Sequence, residues 1–464
     1  MNRLGSLNEF ALFYPEIKDL LRKKDYEGLK RILEKLHPVD IAENFSKFSK
    51  SEFIIIFKLL SHEKACEVFE NLSPEIRKEL LSSLDSNNIK TLIEDMESDE
   101  RADLFGELSE ELRRNLYSLI KEEDKQDIKK LLSYPEDTAG GIMSTDFITL
   151  NKDMKAKEAL LHIQRNGFKL KAQNLYAVYV VDENGKLIGG VSLKSLLTAS
   201  PEAKIEDIMK PVALIKINVN VDREEVARIF RKYDLLCAPV VDDNNVLVGI
   251  ITVDDIMDVM SEEAGEDIYG LGKISEADEL AQINYSEVSI PFLVRARIPW
   301  LFILLLIGTF VSGRILKGYS TVLEKIIILS AFIPMLMDSG GNVGQQALSL
   351  MVRALALKQV TLKDVLRVIW KEIRVGVLIG SIMGIVAFGA TQILGGFNLK
   401  LGITVALTLL LVITAANLTG TVLPFVFTFL GLDPAVAASP FITTVVDATA
   451  LILYFEIAKM LLGI

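Results

Sequence analysis

Histidine and cysteine are scarce in this sequence of 464 residues, which contains three histidines and two cysteines. His37, His62 and His162 have none of the short spacings that are typical of zinc or copper ligands, so we expect no such site. Cys66 and Cys237 lie far apart, which favours free thiols in a reducing compartment. The first residues contain no uninterrupted apolar stretch, so a secretory signal peptide is not expected.

Motifs of the common enzyme classes are also absent. The sequence contains no GxxxxGK phosphate-binding loop, no HExxH motif and no catalytic Cys–His pair. Basic residues are missing from the interior of the long apolar segments, which disfavours a carrier of anions. We therefore do not expect an enzyme, and we expect no nucleic acid among the partners.

Charge and hydropathy divide the chain near residue 290. The part before Ile290 has 55 acidic and 38 basic residues and the rest has 7 and 13, so the net charges are −17 and +6. Five apolar segments long enough to cross a bilayer follow this division, at about 292–313, 326–350, 375–396, 401–430 and 437–462. The sequence thus predicts an acidic soluble half joined to a domain of five membrane spans.

Basic residues predict the orientation in the membrane. A cluster lies between the second and third predicted spans: Arg353, Lys358, Lys363, Arg367, Lys371 and Arg374. By the positive-inside rule, this loop and the N-terminal half are expected in the cytoplasm. Because the number of spans is odd, the C-terminus is then expected on the outer side of the cell (inner) membrane. Because five helices are few to enclose a pore within a single chain, we expect a homodimer embedded in membrane lipid.

Asp447 lies alone in the middle of the fifth predicted span, roughly 15 Å deep at 1.5 Å per residue. A carboxylate there should face a water-filled path or bind a cation. Asp338 and Asn342 in the second span, and Thr443 one turn before Asp447, are further candidates for lining a pore. A structural polar contact is the alternative for the two acids, and close helix packing is favoured for the glycines of the third span.

Residues 1–132 have the amphipathic spacing of helices and repeated helix-start signals, such as Ser73-Pro74-Glu75. Offsets of 24 and 12 residues separate Leu72, Met96 and Leu108. They predict an all-α domain of short helices stacked as a superhelix. Most acids of this region, including those of the stretch 96–101, are expected on solvated caps and faces.

Residues 133–260 contain an internal duplication, with copies at about 137–200 and 203–260. Each copy has a helical pattern, two apolar strands and a closing helix, and the pair resembles tandem CBS domains, an α/β regulatory fold that often binds adenine nucleotides. The resemblance implies that Thr252 and Asp255 contact a ribose in the second copy. Ser192 and Ser195 replace them in the first copy, so we expect at most modest ATP binding.

The whole chain resembles the MgtE family of magnesium channels and transporters. The resemblance rests on the domain order, the Tyr134–Gly141 junction, the Met337–Gly344 stretch and the pattern from Pro440 to Asp447. It implies an N-domain over 1–132, a CBS pair over 133–260, a connecting plug helix over 261–289 and a transmembrane domain over 290–464. It also implies a homodimer that admits Mg²⁺ and closes when cytosolic Mg²⁺ is plentiful.

The acidic run at the end of the second CBS copy is the expected Mg²⁺ sensor. Four acids at three- and four-residue spacing share one helical face that carries no lysine: Asp255, Asp258, Glu262 and Glu266. Glu263 and Asp267 lie beside that face. A solvated helix face is the alternative. The resemblance adds these regulatory positions: Asp99, Asp103, Glu224, Asp234 and Asp433.

The favoured function is a Mg²⁺-selective channel or transporter for uptake, and the alternative is a CBS-regulated transporter of Co²⁺, Mn²⁺ or Ca²⁺.

Overall fold

The structure is a computed structural model that describes residues 9–167, 177–211, 215–272, 274–275, 280, 288–325, 327–394 and 398–463. The chain divides into two compact units, Met1–Met260 and Ser261–Ile464.

Short α-helices form the beginning of the first unit, and their apolar faces share one core that extends from Phe10 to Ile128. Ser73 precedes the helix that begins at Pro74, as predicted, but its side chain makes no cap hydrogen bond. Ser49, which was not predicted, forms a capping box with Glu52. The all-α character of this region is confirmed. The helices are Glu9–Lys23, Tyr26–Leu33, Pro38–Glu43, Lys50–Leu59, His62–Glu70, Pro74–Leu81, Ser86–Asp95, Ser98–Glu107, Glu110–Tyr117 and Glu122–Leu131.

Two small sheets with the same topology follow in the first unit. In each, the first strand pairs parallel with the second and the second pairs antiparallel with the third, with a register shift at Val180/Val181 and at Val240/Val241. The predicted α/β duplication is confirmed. The strands are Thr149–Asn151, Ala177–Val181, Leu187–Ser192 and Lys210–Pro211, then Ile217–Asn218, Cys237–Val241 and Leu247–Thr252. The helices are Ala156–Gly167, Leu193–Thr198, Ile205–Ile208, Arg223–Tyr233 and Val253–Leu271.

Helix Ser98–Glu107 attaches the helical region to the CBS pair. The backbone N–H of Ser98 donates to Asp146 Oδ2 at 2.8 Å, and the hydroxyls of Ser98 and Ser144 share a hydrogen bond of 2.9 Å. Ala102 joins the apolar core of the second CBS copy. The acids of this helix are therefore held close to the CBS pair.

The closing helix of the second CBS copy continues beyond residue 260 and ends at Leu271. We call this helix, Val253–Leu271, the connecting helix. It begins eight residues before the predicted plug helix, because Ile256 and Val259 pack in the CBS core and no proline interrupts the helix that follows. Most of the predicted segment beyond residue 272 lies outside the described residues.

Among the described residues, five helices of the second unit are long and apolar enough to cross a membrane, as predicted. We number them spans 1 to 5: Ile290–Gly318, Ile327–Ala356, Leu362–Ile393, Leu399–Phe429 and Phe441–Leu462. Span 3 begins at Leu362 and not near residue 375, so much of the expected loop is helical. The reason is that Val368 packs against Met351 and Phe425 while the charged residues occupy the exposed side of the helix.

Glycines bring spans 3 and 4 into backbone contact. A Cβ atom at Gly380 would lie 2.8 Å from the carbonyl oxygen of Leu410, and one at Gly384 would lie 3.0 Å from that of Ala406. The interpretation of these glycines as packing residues is confirmed, since small residues at four-residue spacing let two spans approach closely.

We expect Gly380→Ala to lower the melting temperature of the detergent-solubilised protein by several degrees. The backbone of Leu410 cannot yield without separating two spans, and overpacking of this kind costs about 1–3 kcal/mol. Gly389→Ala on the same helix is the control, because nothing lies within 4 Å of a Cβ atom there. Equal melting temperatures for the two variants would contradict the close contact.

Candidate ion-binding sites

Asp447 lies deep within the helix that contains span 5. This helix runs from Pro434 to Leu462, and its N-cap residue Asp433 accepts a hydrogen bond from the backbone N–H of Ala435 at 2.7 Å. Asp447 is half-buried and lies roughly 20 Å along the axis from Pro434, at 1.5 Å per residue. Asp447 is thus near the middle of this helix, and it lies roughly 9 Å inside the beginning of span 5 at Phe441.

Span 2 packs against span 5 directly beside Asp447. A Cβ atom at Gly340 would lie 2.8 Å from Cγ1 of Val446, and one at Gly344 would lie 3.1 Å from Cγ1 of Ile442. Gly420 of span 4 leaves no room for a Cβ atom either, because the carbonyl oxygen of Gly344 lies against it. The glycines of the Met337–Gly344 stretch therefore form a seam that fixes the neighbours of Asp447.

A different face of span 2 is polar. Asp338, Asn342 and Gln346 recur every four residues, and all three are exposed on the helix Ile333–Ala356. Hydrocarbon is a costly surrounding for such side chains, so this face requires water or another protein chain. The sequence analysis selected Asp338 and Asn342 but missed Gln346, although its spacing from Asn342 was an available signal.

Glu372 of span 3 contacts a buried polar residue of span 4. The side-chain nitrogen of Asn417 donates to the carbonyl oxygen of Glu372 at 2.8 Å and to its Oε2 at 3.0 Å. The sequence analysis missed this acid, because the predicted third span started at residue 375. The contact holds a carboxylate against the polar stretch of span 4.

The end of the connecting helix packs beside span 5. Leu271 contacts a cluster of Leu348, Val352, Ala416, Ala435, Ile442 and Val446. One turn earlier, burial and then the charge of Asp433 raise the pKa of Asp267 to about 6, with a further contribution from Glu263. The structure therefore brings together Asp267 and Asp433, two of the predicted regulatory residues.

A second group of carboxylates lies in the first unit, where helix Ser98–Glu107 meets the beginning of the connecting helix. We call it the acid cluster, and its members are Glu97, Asp99, Glu100, Asp103 and Asp255. Burial, the largest cause, raises the pKa of Glu97 to about 7, that of Glu100 to about 8 and that of Asp255 to about 6. Asp103 is the exposed member of the cluster. Burial also raises the pKa of Asp99 well above its usual range. The charge of Asp255 contributes to the raised pKa of all four other members.

One buried oxygen of the acid cluster has no donor. Oδ1 of Asp99 accepts no hydrogen bond from the described residues, although the residue is only 9% exposed. Burying an unsatisfied polar group costs about 1–3 kcal/mol, and a cation would remove that cost. Among the described residues no three acidic, histidine or cysteine side chains lie close enough to hold a metal ion directly.

Three successive parts of this chain match known families of domains. Residues 36–137 match the MgtE intracellular N domain, residues 139–202 and 205–262 match CBS domains, and residues 333–457 match MgtE, a divalent cation transporter. The magnesium transporter MgtE of Thermus thermophilus is 39% identical over 336 residues, which cover 72% of each chain. The chain belongs to the MgtE family. The magnesium transporter MgtE of Enterococcus faecalis is 36% identical over 337 residues, 72% of this chain and 71% of that one.

Solved structures of soluble MgtE regions resemble part of the chain. One is the cytosolic domain of the Mg²⁺ channel MgtE in complex with ATP, with a TM-score of 0.50 and 32% identity over 52% of this chain and 98% of that one. Another is the soluble part of a magnesium transporter, with a TM-score of 0.51 and 27% identity over 55% and 99%. An inosine-5'-monophosphate dehydrogenase of Helicobacter pylori matches only 24% of each chain. The relatives that share most of the chain are transporters and not enzymes.

The other residues selected from the MgtE resemblance lie outside the acid cluster. Glu224 lies in the first turn of helix Arg223–Tyr233 and Asp234 caps its other end, and both are exposed. Partial burial and then the charge of Asp254 raise the pKa of Asp258. Glu97 and Glu100, which were expected on solvated caps and faces, are half-buried, and burial raises the pKa of both.

Stability should therefore depend on pH and Mg²⁺ together. Carboxyl groups whose pKa is raised by folding bind more protons in the folded than in the unfolded state, so the free energy of unfolding falls as pH rises from about 4.5 to 8. In EDTA we expect the melting temperature to fall between pH 5 and pH 8. Mg²⁺ should raise the melting temperature more at pH 8, where protons no longer compete for the carboxylates.

Thermal unfolding at both pH values, with and without Mg²⁺, measures this dependence. The double variant Asp99→Asn, Asp103→Asn should reduce both the pH effect and the Mg²⁺ effect. An equal gain from Mg²⁺ at pH 5 and pH 8 would show that these carboxyls do not bind the ion.

Proposed function

We propose that this MgtE family member transports Mg²⁺ across a cell membrane along a path that passes Asp447. The observation that carries the proposal is a half-buried carboxylate near the middle of the helix Pro434–Leu462, beside the glycine seam between spans 2 and 5. Its relatives are magnesium transporters, which supports the same cargo here. The polar face of Asp338, Asn342 and Gln346 supplies further oxygen ligands for hydrated ions.

The chemistry of Mg²⁺ suits weak binding by such a path. The ion prefers six oxygen ligands in an octahedron and loses its waters reluctantly. Carboxylates of two Asp447 residues, one from each protomer, would attract a largely hydrated ion, and the hydroxyl of Thr443 would orient its waters. Conduction needs binding that is favourable enough for entry and weak enough for release.

A homodimer is part of the proposal. Five spans leave the polar face of span 2 exposed, and a second copy related by a two-fold axis would enclose it around water. The basic residues at the adjoining ends of spans 2 and 3 favour a cytoplasmic location for those ends and for the N-terminal domains. An odd number of spans then puts the C-terminus outside.

Gating is proposed to act through the connecting helix. Its first turn carries Asp255 of the acid cluster, and its last turns carry Asp267 and Leu271, which pack beside span 5. Mg²⁺ bound among these carboxylates would favour a closed state. Loss of the ions would leave like charges that repel one another and favour the open state.

Mg²⁺ flux into liposomes that contain the purified protein tests the proposed function. Protein-free liposomes are the control, and an excess of Co²⁺, Mn²⁺ or Ca²⁺ tests the alternative of another divalent cargo. We expect Mg²⁺ entry that depends on the protein. It should fall when the Mg²⁺ concentration is high on the side of the membrane where the N-terminal domains lie. Absence of flux, or flux carried better by a competing ion, would overturn the assignment.

ATP binding at the second CBS copy is a further part of the proposal. Thr252 and Asp255 lie together, and the hydroxyl of Thr252 donates to Asp255 Oδ2 at 2.6 Å. In the first copy the hydroxyls of Ser192 and Ser195 lie 2.8 Å apart without a carboxylate. The ATP complex of a related cytosolic domain supports a nucleotide site in this region.

Asp255→Asn should weaken ATP binding by about tenfold, since a hydrogen bond to a charged group contributes about 1.5–3 kcal/mol. Ser195→Ala is the matched control in the first copy and should leave the affinity unchanged. Titration calorimetry on the full chain measures both. Sub-micromolar ATP binding, or equal losses in the two variants, would contradict the expectation of one modest site.

A further inference from the structure

The exposed side of span 3 is basic and aromatic near its beginning. Arg367, Lys371 and Arg374 are exposed, and between them lie Leu366, 81% exposed, and Trp370, 63% exposed. At about 100° per residue these five positions occupy one arc of about 140° on the helix. Cations and an indole ring are thus presented together to the surroundings of the protein.

Arg374 is held against Trp370. Its guanidinium carbon lies 6.0 Å from the centre of the indole ring, and its Nε donates to the carbonyl oxygen of Trp370 at 3.3 Å. Such a cation–aromatic contact orients the guanidinium while leaving donors for an anion. Tryptophan is enriched at the level of lipid headgroups, where its ring is apolar and its N–H can be wet.

Acids do not neutralise this side of the helix. The helix Val365–Leu394 contains one acid, Glu372, which is engaged by Asn417 of span 4. Just before the helix, Asp364 accepts hydrogen bonds from the backbone N–H and the hydroxyl of Thr361 at 2.9 and 2.8 Å. Within the described part of the chain, Arg367, Lys371 and Arg374 form no ion pair with an acid. Arg367 also lies close enough to Asp364 for their charges to attract each other. This acid offsets part of one charge, and the face keeps a net positive charge.

The same side of the helix becomes mainly aliphatic after Arg374, and the hydroxyl of Ser381 donates to the carbonyl oxygen of Val377 at 2.7 Å. Val377, Leu378, Ile382 and Ile385 are all exposed, at 41%, 65%, 63% and 75%. A change from cations and tryptophan to aliphatic side chains within one helical turn is the profile of the boundary between headgroups and acyl chains. This boundary places the three cations at phosphate level.

We propose that the Leu366–Arg374 face of span 3 binds the headgroup of an anionic phospholipid, with the phosphate between Arg367, Lys371 and Arg374. The acyl chains would lie along the aliphatic side chains from Val377 to Ile385. A second copy is a poorer occupant, because a two-fold contact centred on this face would bring the same three cations together.

Fluorescence of Trp370 tests the proposal in the full chain. The sequence has two tryptophans, so Trp300→Phe leaves Trp370 as the only one. The protein is placed in neutral phosphatidylcholine nanodiscs with a minor fraction of brominated phosphatidylglycerol or, separately, of brominated phosphatidylcholine. We expect the brominated anionic lipid to quench Trp370 at a several-fold lower fraction than the neutral one, since each cation near the surface contributes a factor of about five.

Variants separate local from general charge effects. Arg367→Gln, Lys371→Gln and Arg374→Gln together should remove the difference between the two lipids, and each single replacement should reduce it. The control removes three exposed charges at the opposite ends of the spans, by Arg314→Gln, Lys317→Gln and Lys400→Gln, and should preserve the difference.

Three results would overturn the proposal. Equal quenching by the two lipids would show contact without recognition of the headgroup. No quenching by either lipid would show that protein covers this face. A difference that is lost equally in the control variant would show general attraction to a positive protein. The melting temperature of each variant distinguishes unfolding from loss of the lipid.

Discussion

Mg²⁺ uptake should fall by about 100-fold when Asp447 is replaced by asparagine, since a charged hydrogen-bonding group contributes about 1.5 kcal/mol or more and a dimer loses two. The amide keeps the volume of the side chain and its place beside the glycine seam, so the protein should fold normally. Only the fixed negative charge in the middle of the membrane disappears. Flux into liposomes, followed with a Mg²⁺-sensitive dye, measures the effect.

Glu456→Gln is the matched control for this variant. Glu456 lies on the same helix, where its carboxylate accepts a hydrogen bond from the hydroxyl of Tyr319 at 2.6 Å and pairs with Lys459 at 3.2 Å. Removing this charge should leave Mg²⁺ flux nearly unchanged. Asp338→Asn should have a smaller effect than Asp447→Asn. Near-normal flux in folded Asp447→Asn protein would mean that the carboxylate is a structural contact and that the ion passes elsewhere.

A channel that stays open at high Mg²⁺ is the expected result of replacing Asp99, Asp103 and Asp255 together with asparagine. A site with a dissociation constant of about 10⁻⁴ to 10⁻³ M contributes roughly 1 kcal/mol toward closure at a comparable ion level. An almost complete switch between two states needs about 5.5 kcal/mol, so several sites in a dimer must act together. Removing the carboxylates around the unsatisfied oxygen of Asp99 should therefore shift the balance strongly toward the open state.

The dependence of flux on Mg²⁺ bathing the N-terminal domains measures closure in this triple variant. Glu110→Gln, Glu111→Gln and Glu122→Gln form a control with the same loss of charge on exposed helices of the first unit. The control should close as the natural protein does. If the triple asparagine variant closes over the natural range of Mg²⁺, the acid cluster is not the sensor.

Local sequence patterns predicted the elements of the fold far better than the surroundings of the acids. The apolar segments identified all five spans, and the repeated strand pattern identified the CBS pair, because each depends on residues that are neighbours along the chain. The burial of Asp99 beside Asp255 depends instead on contacts between residues far apart in the chain, such as the hydrogen bonds of Ser98 with Asp146 and Ser144. An acid in a first helical turn looks the same in a sequence whether or not another domain covers it.

The beginning of span 3 shows a second limit of sequence patterns. Hydropathy placed it near residue 375, since charged residues interrupt the apolar run before that point. The structure shows a helix in which Val368 faces the protein and Arg367 faces outward. Glu372 was overlooked for the same reason, because its contact with Asn417 lies on the inner side of a helix that average hydropathy does not reveal.

The connecting helix also has a mechanical property. Its 19 residues form one rod about 28 Å long, without a proline to act as a joint. A tilt of about 10° at one end would displace the far end by about 5 Å, close to the rise of one helical turn. In the gating proposed above, such a tilt would carry a change at Asp255 to Leu271 without any contact between the two residues. The stiffness of the helix would then set how far from the ion path an ion can be sensed.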